Sequence, residues 1–194
     1  MQKPIQEPKI IVGFDLDGVI IDHSANKLAL ADSYAVHLRP EETHSELLSK
    51  KFAPKEYLAY QDELYGNSSF ALSAPLMEGA AEVLHEIKSR NIPFVLISRR
   101  RKPENAVALL ARRGLWGNIF NEKNAFFVNT PEDKNAISIR EGVTHYIDDE
   151  RKVLRAIPDV KKRFLLDVFK QFEDEKEFER IHDWEMLRQI FIKK

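Results

Sequence analysis

Residues 9–19 read Lys9-Ile10-Ile11-Val12-Gly13-Phe14-Asp15-Leu16-Asp17-Gly18-Val19. A short apolar run passes straight into two aspartates one residue apart, followed by a glycine. Such a run, bounded by polar residues, reads as a strand buried on both faces, the mark of a parallel sheet. In open α/β sheets, ligands bind beyond the carboxyl ends of the strands. The stretch therefore indicates both a fold and the edge at which to look for chemistry.

The pattern recurs. Residues 92–97 (IPFVLI) end at Ser98, and 125–128 (AFFV) form a shorter run. Residues 143–147 (VTHYI) end in Asp148 and Asp149, and 163–168 (RFLLDV) form the last strand. Helical periods lie between them. Residues 79–90 place Ala80, Val83, Leu84 and Ile87 on one face. Residues 103–113 open with a proline and are closed by Gly114. Residues 134–141 turn Ile137 and Ala136 inward and stop at Gly142, and Phe178, Ile181, Trp184, Leu187 and Phe191 mark one C-terminal amphipathic helix. Strands alternating with helices imply right-handed βαβ units in a three-layer α/β fold.

Residues 21–74 break the alternation and contain no strand pattern. Helices are expected at 24–38, after a capping box of Thr43 and Glu46, and at 54–65, with a turn at 66–69. These residues read as a small helical cap inserted after the first strand. The domain expectation is a core of residues 1–21 and 75–194 and a cap of residues 22–74.

The chain has 194 residues, 43% hydrophobic and 31% charged, which is the composition of a globular domain rather than a disordered one. Its 30 basic and 31 acidic side chains give a net charge of −1, which argues against a general electrostatic nucleic-acid binder. Cysteine is absent, so a disulfide framework, a thiolate zinc site and a cysteine nucleophile are excluded. No apolar run reaches the roughly 18 residues of a membrane span, and residues 1–9 lack the apolar core of a secretion signal. A cytoplasmic location with no membrane partner is expected; the oligomeric state is not legible.

Parallel strands bring Asp15, Asp17, Ser98, Asp148 and Asp149 to one edge. Ionised carboxylates that close repel one another and hold their protons more tightly. A divalent cation removes that conflict, and all-oxygen donors without cysteine or paired histidines point to Mg2+. Lys134, at the start of a helix before the fourth strand, would balance charge at the same edge.

These segments resemble four motifs of the haloacid dehalogenase-like (HAD) hydrolases. FDLDGV is similar to the first, DxDG[TV]; VLIS to the second; Lys134 to the third; YIDD to the fourth. The resemblance spans nearly the whole chain. It implies a Rossmann-like core with strand order 5-4-1-2-3 and a cap between the first two motifs. It further implies that Asp15 attacks phosphorus, that Asp17 acts as general acid and base, and that Ser98 and Lys134 hold the phosphoryl group. Asp15, the carbonyl of Asp17, Asp148 and Asp149 would bind Mg2+. The implied function is phosphatase action on a small phosphorylated metabolite. Alternatives are a nucleotidase or nucleic-acid end phosphatase, a phosphotransferase or mutase, and a non-catalytic phospholigand-binding module.

Arg99, Arg100 and Arg101 follow Ser98 directly. They read either as contacts to an anionic substrate group or as a solvated basic loop. Asp22 and His23 read as polar residues at a helix start, and Lys123 is an alternative to Lys134.

Overall fold

The computed structural model describes residues 10–66, 68–100 and 102–193. Six strands form one all-parallel sheet: β1 Val12–Phe14, β2 Phe94–Arg99, β3 Ala125–Val128, β4 His145–Asp148, β5 Lys162–Leu166 and β6 Glu179–Ile181. Their order is β3-β2-β1-β4-β5-β6, the expected order with one further strand at the β5 edge.

Side-chain alternation divides the sheet between two cores. Phe14, Leu96, Ile147, Phe164 and Leu166 pack against α5 Ala80–Ser89, α6 Glu104–Arg112 and α9 Trp184–Phe191. Val95, Ile97, Tyr146 and Leu165 face the other way, toward α7 Pro131–Glu141 and α8 Arg151–Ala156. Gly13 lies where the Tyr146 ring crosses β1, in the space a Cβ would fill, and that ring is held by its hydroxyl donating to the Ile97 carbonyl at 2.7 Å. The Trp184 ring stacks on Phe14 at 5.5 Å, and its Nε1 donates to the Val19 carbonyl at 2.8 Å. The C-terminal helix thereby braces the loop that follows β1.

The C-terminal segment differs from the single helix expected there. Phe178, Ile181 and Trp184 match a helical period, but Asp183 is extended and its side chain accepts from the Met186 N–H, so the helix starts only at Trp184. Residues 179–181, freed from the helix, pair with β5.

Between β1 and α5 the regular elements among the described residues are helices: α1 Ser24–Ser33, α2 Ser45–Leu48, α3 Pro54–Gly66 and α4 Ser68–Ala71, with 3-10 turns at Pro40–Thr43 and Ser49–Lys51. These elements share a separate small core of Leu30, Ala31, Leu48, Tyr60 and Leu64, ringed by Tyr34, Phe52 and Tyr57. The first helix stops five residues short of expectation. Ala35 takes a positive φ, and the Val36 N–H returns to the Ala31 carbonyl, so Val36 and Leu38 fold back onto this core. The Thr43–Glu46 capping box is not formed. The Thr43 hydroxyl donates to the Pro40 carbonyl, while His44 Nδ1 accepts from the Glu46 N–H. Of the turn expected at 66–69, Gly66 ends α3, Asn67 lies outside the described residues, and Ser69 is helical. Arg101 also lies outside them.

Candidate active site

The five groups read from the sequence meet at the carboxyl edge of the sheet. Asp15 follows directly on β1, with its N–H on the Ile147 carbonyl. Beyond it the chain turns tightly, and Gly18 has φ +82°. The Asp149 carboxylate occupies the space where a Cβ at Gly18 would stand, so glycine is required both for the turn and for that close approach.

Lys134 is not at a solvated helix start. The helix begins at Pro131, with a reciprocal Thr130–Asp133 cap, and this places Lys134 one turn in and 1% exposed. Its Nζ donates to Asp15 Oδ1 and to Asp148 Oδ2, both at 2.8 Å. Ala136, expected inward, is exposed because the inward face of this helix carries Lys134 and Ser138. Lys123 sits in an exposed turn.

Burial raises the proton affinities of Asp15, Asp148 and Asp149, and mutual repulsion adds to it. Asp148 is pushed up to about 7. Burial disfavours the Lys134 charge, yet Asp148 and Asp15 outweigh it and hold the ammonium well above the ordinary lysine range. One oxygen from each of Asp15, Asp148 and Asp149 lies within 4.8 Å of the others. This all-oxygen trio fits a hard divalent cation. Beside it the Ser98 hydroxyl is buried, with no hydrogen-bond partner among the described residues. A buried hydroxyl without a partner costs about 1–3 kcal/mol, which a ligand oxygen would recover.

Asp17 follows two residues on, in the turn after β1. Its Oδ1 accepts from Arg100 Nη2 at 2.6 Å and faces His23 Nε2 at 2.9 Å. Burial alone would raise its proton affinity, but Arg100, then His23, hold it well below the usual carboxylate range. Sequence reasoning placed neither residue in this role. Both Asp22 and His23 stand at the start of α1 as expected, Asp22 Oδ1 accepting from the Ser24 N–H and His23 at the N-cap position, but the His23 ring turns to Asp17 instead of capping the helix. Arg100 did carry a signal. β2 runs on past Ser98, and the Arg100 N–H still bonds the Val128 carbonyl, so strand alternation puts Ser98 and Arg100 on the same side. Arg99, on the opposite side, pairs with Glu150 at 3.1 Å. Neither arginine belongs to a solvated loop.

A cleft of about 490 Å³ lies above these groups, roofed by Tyr57, Gln61, Asp62 and Tyr65 of α3. The helical segment is fixed to the core at its flanks. Arg151 donates to Glu46 through its backbone N–H at 2.8 Å and its Nη2 at 2.7 Å. On the far side, Asn105 Nδ2 donates to the Tyr65 and Gly66 carbonyls. Burial raises the proton affinity of Glu46, but Arg151 prevails and holds it below the ordinary glutamate range. A carboxylate lowered in this way adds stability above its unfolded pKa, and that stability is lost as pH falls. Glu46→Gln should therefore cost about 1–2 kcal/mol at pH 7, roughly 4 °C in Tm. The deficit should shrink as pH falls below about 4.3; a constant deficit in thermal melts would show that the charge is idle.

No family model matches the chain, and no curated protein matches it. Solved structures do. A HAD family hydrolase from Deinococcus radiodurans R1, solved with bound phosphate and sodium, superposes with a TM-score of 0.62 at 16% identity, covering 95% of each chain. A family IA, variant 3 HAD hydrolase from Entamoeba histolytica gives 0.62 at 16%, over 91% of this chain and 94% of that one. A subfamily IA HAD hydrolase from Geobacter sulfurreducens gives 0.56 at 14%, over 94% and 96%. With its six parallel strands and the aspartates at their carboxyl edge, this chain has the fold of the HAD hydrolases.

Proposed function

We propose that this protein is a Mg2+-dependent phosphomonoester hydrolase acting on a small phosphorylated substrate. One observation carries the reading: Lys134 ties Asp15 to Asp148 at 2.8 Å each, beside a buried Ser98 hydroxyl that lacks a partner. The phosphate bound by the Deinococcus structure is consistent with it.

The mechanism follows from the placement of each group. An Asp15 carboxylate oxygen attacks phosphorus, a P–O bond to Asp15 forms, and the bond to the leaving oxygen breaks. Asp17, held ionised by Arg100 and His23 in this arrangement, takes up a proton as the anionic phosphate beside it raises its proton affinity, gives it to that oxygen, and then takes one from the water that attacks phosphorus and frees Asp15. Both protein contacts to Asp17 fall on Oδ1, so Oδ2 remains to carry the proton. The Ser98 hydroxyl and the Lys134 ammonium hold the non-bridging phosphoryl oxygens. Asp15, Asp148, Asp149 and the Asp17 carbonyl would hold Mg2+, which supplies the positive charge that lets a carboxylate approach a phosphate. Residues 22–74 serve as the cap, closing the cleft over the small substrate, with residues 1–21 and 75–194 as the core.

The test is hydrolysis of p-nitrophenyl phosphate with Mg2+ and with EDTA. Turnover is expected with Mg2+ and should fall at least about 100-fold in EDTA. Equal rates in both would overturn metal dependence; no turnover of this ester or of any member of a phosphometabolite panel would overturn hydrolysis.

A further inference from the structure

Arg100 is built into the site more rigidly than charge balance for Asp17 requires. Its side chain is buried, and the Tyr65 ring covers the guanidinium face at 4.1 Å from Cζ. Tyr65 is itself held by the edge of His23, 5.3 Å between ring centres, while Asn105 grips its carbonyl. A guanidinium stacked in this way loses its face but keeps its in-plane donors. Nη2 uses one on Asp17. Nε and Nη1 are buried and have no partner among the described residues. Leaving charged donors desolvated and unpaired is costly, and an anionic acceptor removes that cost.

The position of the fork decides what the acceptor is. The transferred phosphoryl group belongs on the Asp15, Ser98 and Lys134 side. Arg100 lines the cleft and holds Asp17, the group assigned to the leaving oxygen, so it stands beside the departing part of the substrate. Of the other cations lining the cleft, Arg99 and Lys152 pair with Glu150 and Lys134 with Asp15 and Asp148, while Lys102 is exposed to solvent, so Arg100 is the buried one with donors to spare among the described residues. We propose that Arg100 is a specificity residue that recognises a second anionic group, carboxylate or phosphoryl, carried a few atoms from the ester oxygen of the substrate. The inference rests on the hydrolase reading for its orientation of the substrate. Tyr65 covers the fork, so the cleft end of α3 must shift for the second anion to enter.

Phosphonates that cannot be cleaved test this without turnover. Dissociation constants would be measured calorimetrically, with excess Mg2+, for methylphosphonate, phosphonoacetate and methylenebisphosphonate. At least one of the two dianionic-ended ligands is expected to bind the wild type about ten-fold or more tightly than methylphosphonate. Phosphonoacetate leading would identify a carboxylate; methylenebisphosphonate leading, a second phosphoryl. Arg100→Gln should erase that margin, read as the ratio of each ligand's affinity to that of methylphosphonate in the same variant, and Arg100→Lys should restore only part of it. Equal affinities for all three ligands in the wild type would overturn the proposal. So would a margin that survives in Arg100→Gln. These outcomes do not depend on catalysis, so failure of the hydrolase reading in the aryl phosphate assay remains separately visible.

Discussion

Asp15→Asn should lower the kcat for p-nitrophenyl phosphate by at least about 10⁴-fold with Mg2+ present, the scale seen when a covalent nucleophile is removed. An amide has nearly the shape of the carboxylate but does not form the acyl phosphate. Its oxygen can still accept from Lys134, and the backbone bond from residue 15 to Ile147 is untouched. The fold should therefore survive. Removing one of three crowded carboxylates, each with proton affinity raised by burial and repulsion, should leave the EDTA-measured Tm unchanged or higher. Loss of turnover with an undiminished Tm identifies chemistry. Residual turnover above about 1% of wild type would remove Asp15 from the nucleophile's role.

The parts of this molecule that the sequence makes legible are those set by local patterning. Residues 94–99 and 145–148 are strands buried on both faces, and apolar runs report that directly. Asp15, Ser98 and Asp148 are legible because parallel strands necessarily deliver their last residues to one edge. What sequence reading missed depends on contacts between distant elements. His23 follows Asp17 by six residues, yet its role exists only because the loop after β1 folds back on itself. Arg100 stands in a run of three arginines that reads either as substrate contacts or as a solvated loop; packing under Tyr65 and pairing with Asp17 make it interior. β6 was hidden for another reason. Three residues are too few to establish a strand period, and the spacing of Phe178, Ile181 and Trp184 imitates a helix until Asp183 interrupts it.

Lys134→Met should have the largest effect on stability and a large one on rate. Among the described residues the ammonium is the one cation that touches both Asp15 and Asp148, and it is 1% exposed. Replacing it with an uncharged chain of similar length keeps the packing but leaves two buried carboxylates uncompensated. Breaking a buried pair from one side costs about 3–5 kcal/mol, which for a chain of this size is roughly 10 °C in Tm. The loss must depend on pH, and its sign is fixed. Asp148 is already raised to about 7 with Lys134 in place, and removal of the lysine raises it further. A carboxyl group raised by folding binds protons that the unfolded chain releases, so its cost vanishes below its unfolded pKa and grows as pH rises toward the folded one. Relative to wild type, the Asp148 part of the Tm deficit in EDTA should thus be small below about pH 6 and open as pH rises through about 7, where the wild-type carboxyl ionises and the variant's stays protonated. Without the ammonium to hold a phosphoryl oxygen, kcat should fall by about 10²–10³-fold. Combining the substitution with Asp15→Asn leaves one buried carboxylate where the single variant leaves two. The double variant should therefore melt above Lys134→Met alone, by a coupling of about 1–3 kcal/mol. Strict additivity, together with a deficit that does not change with pH, would mean that Lys134 stabilises the fold through its packed stem and not through its charge.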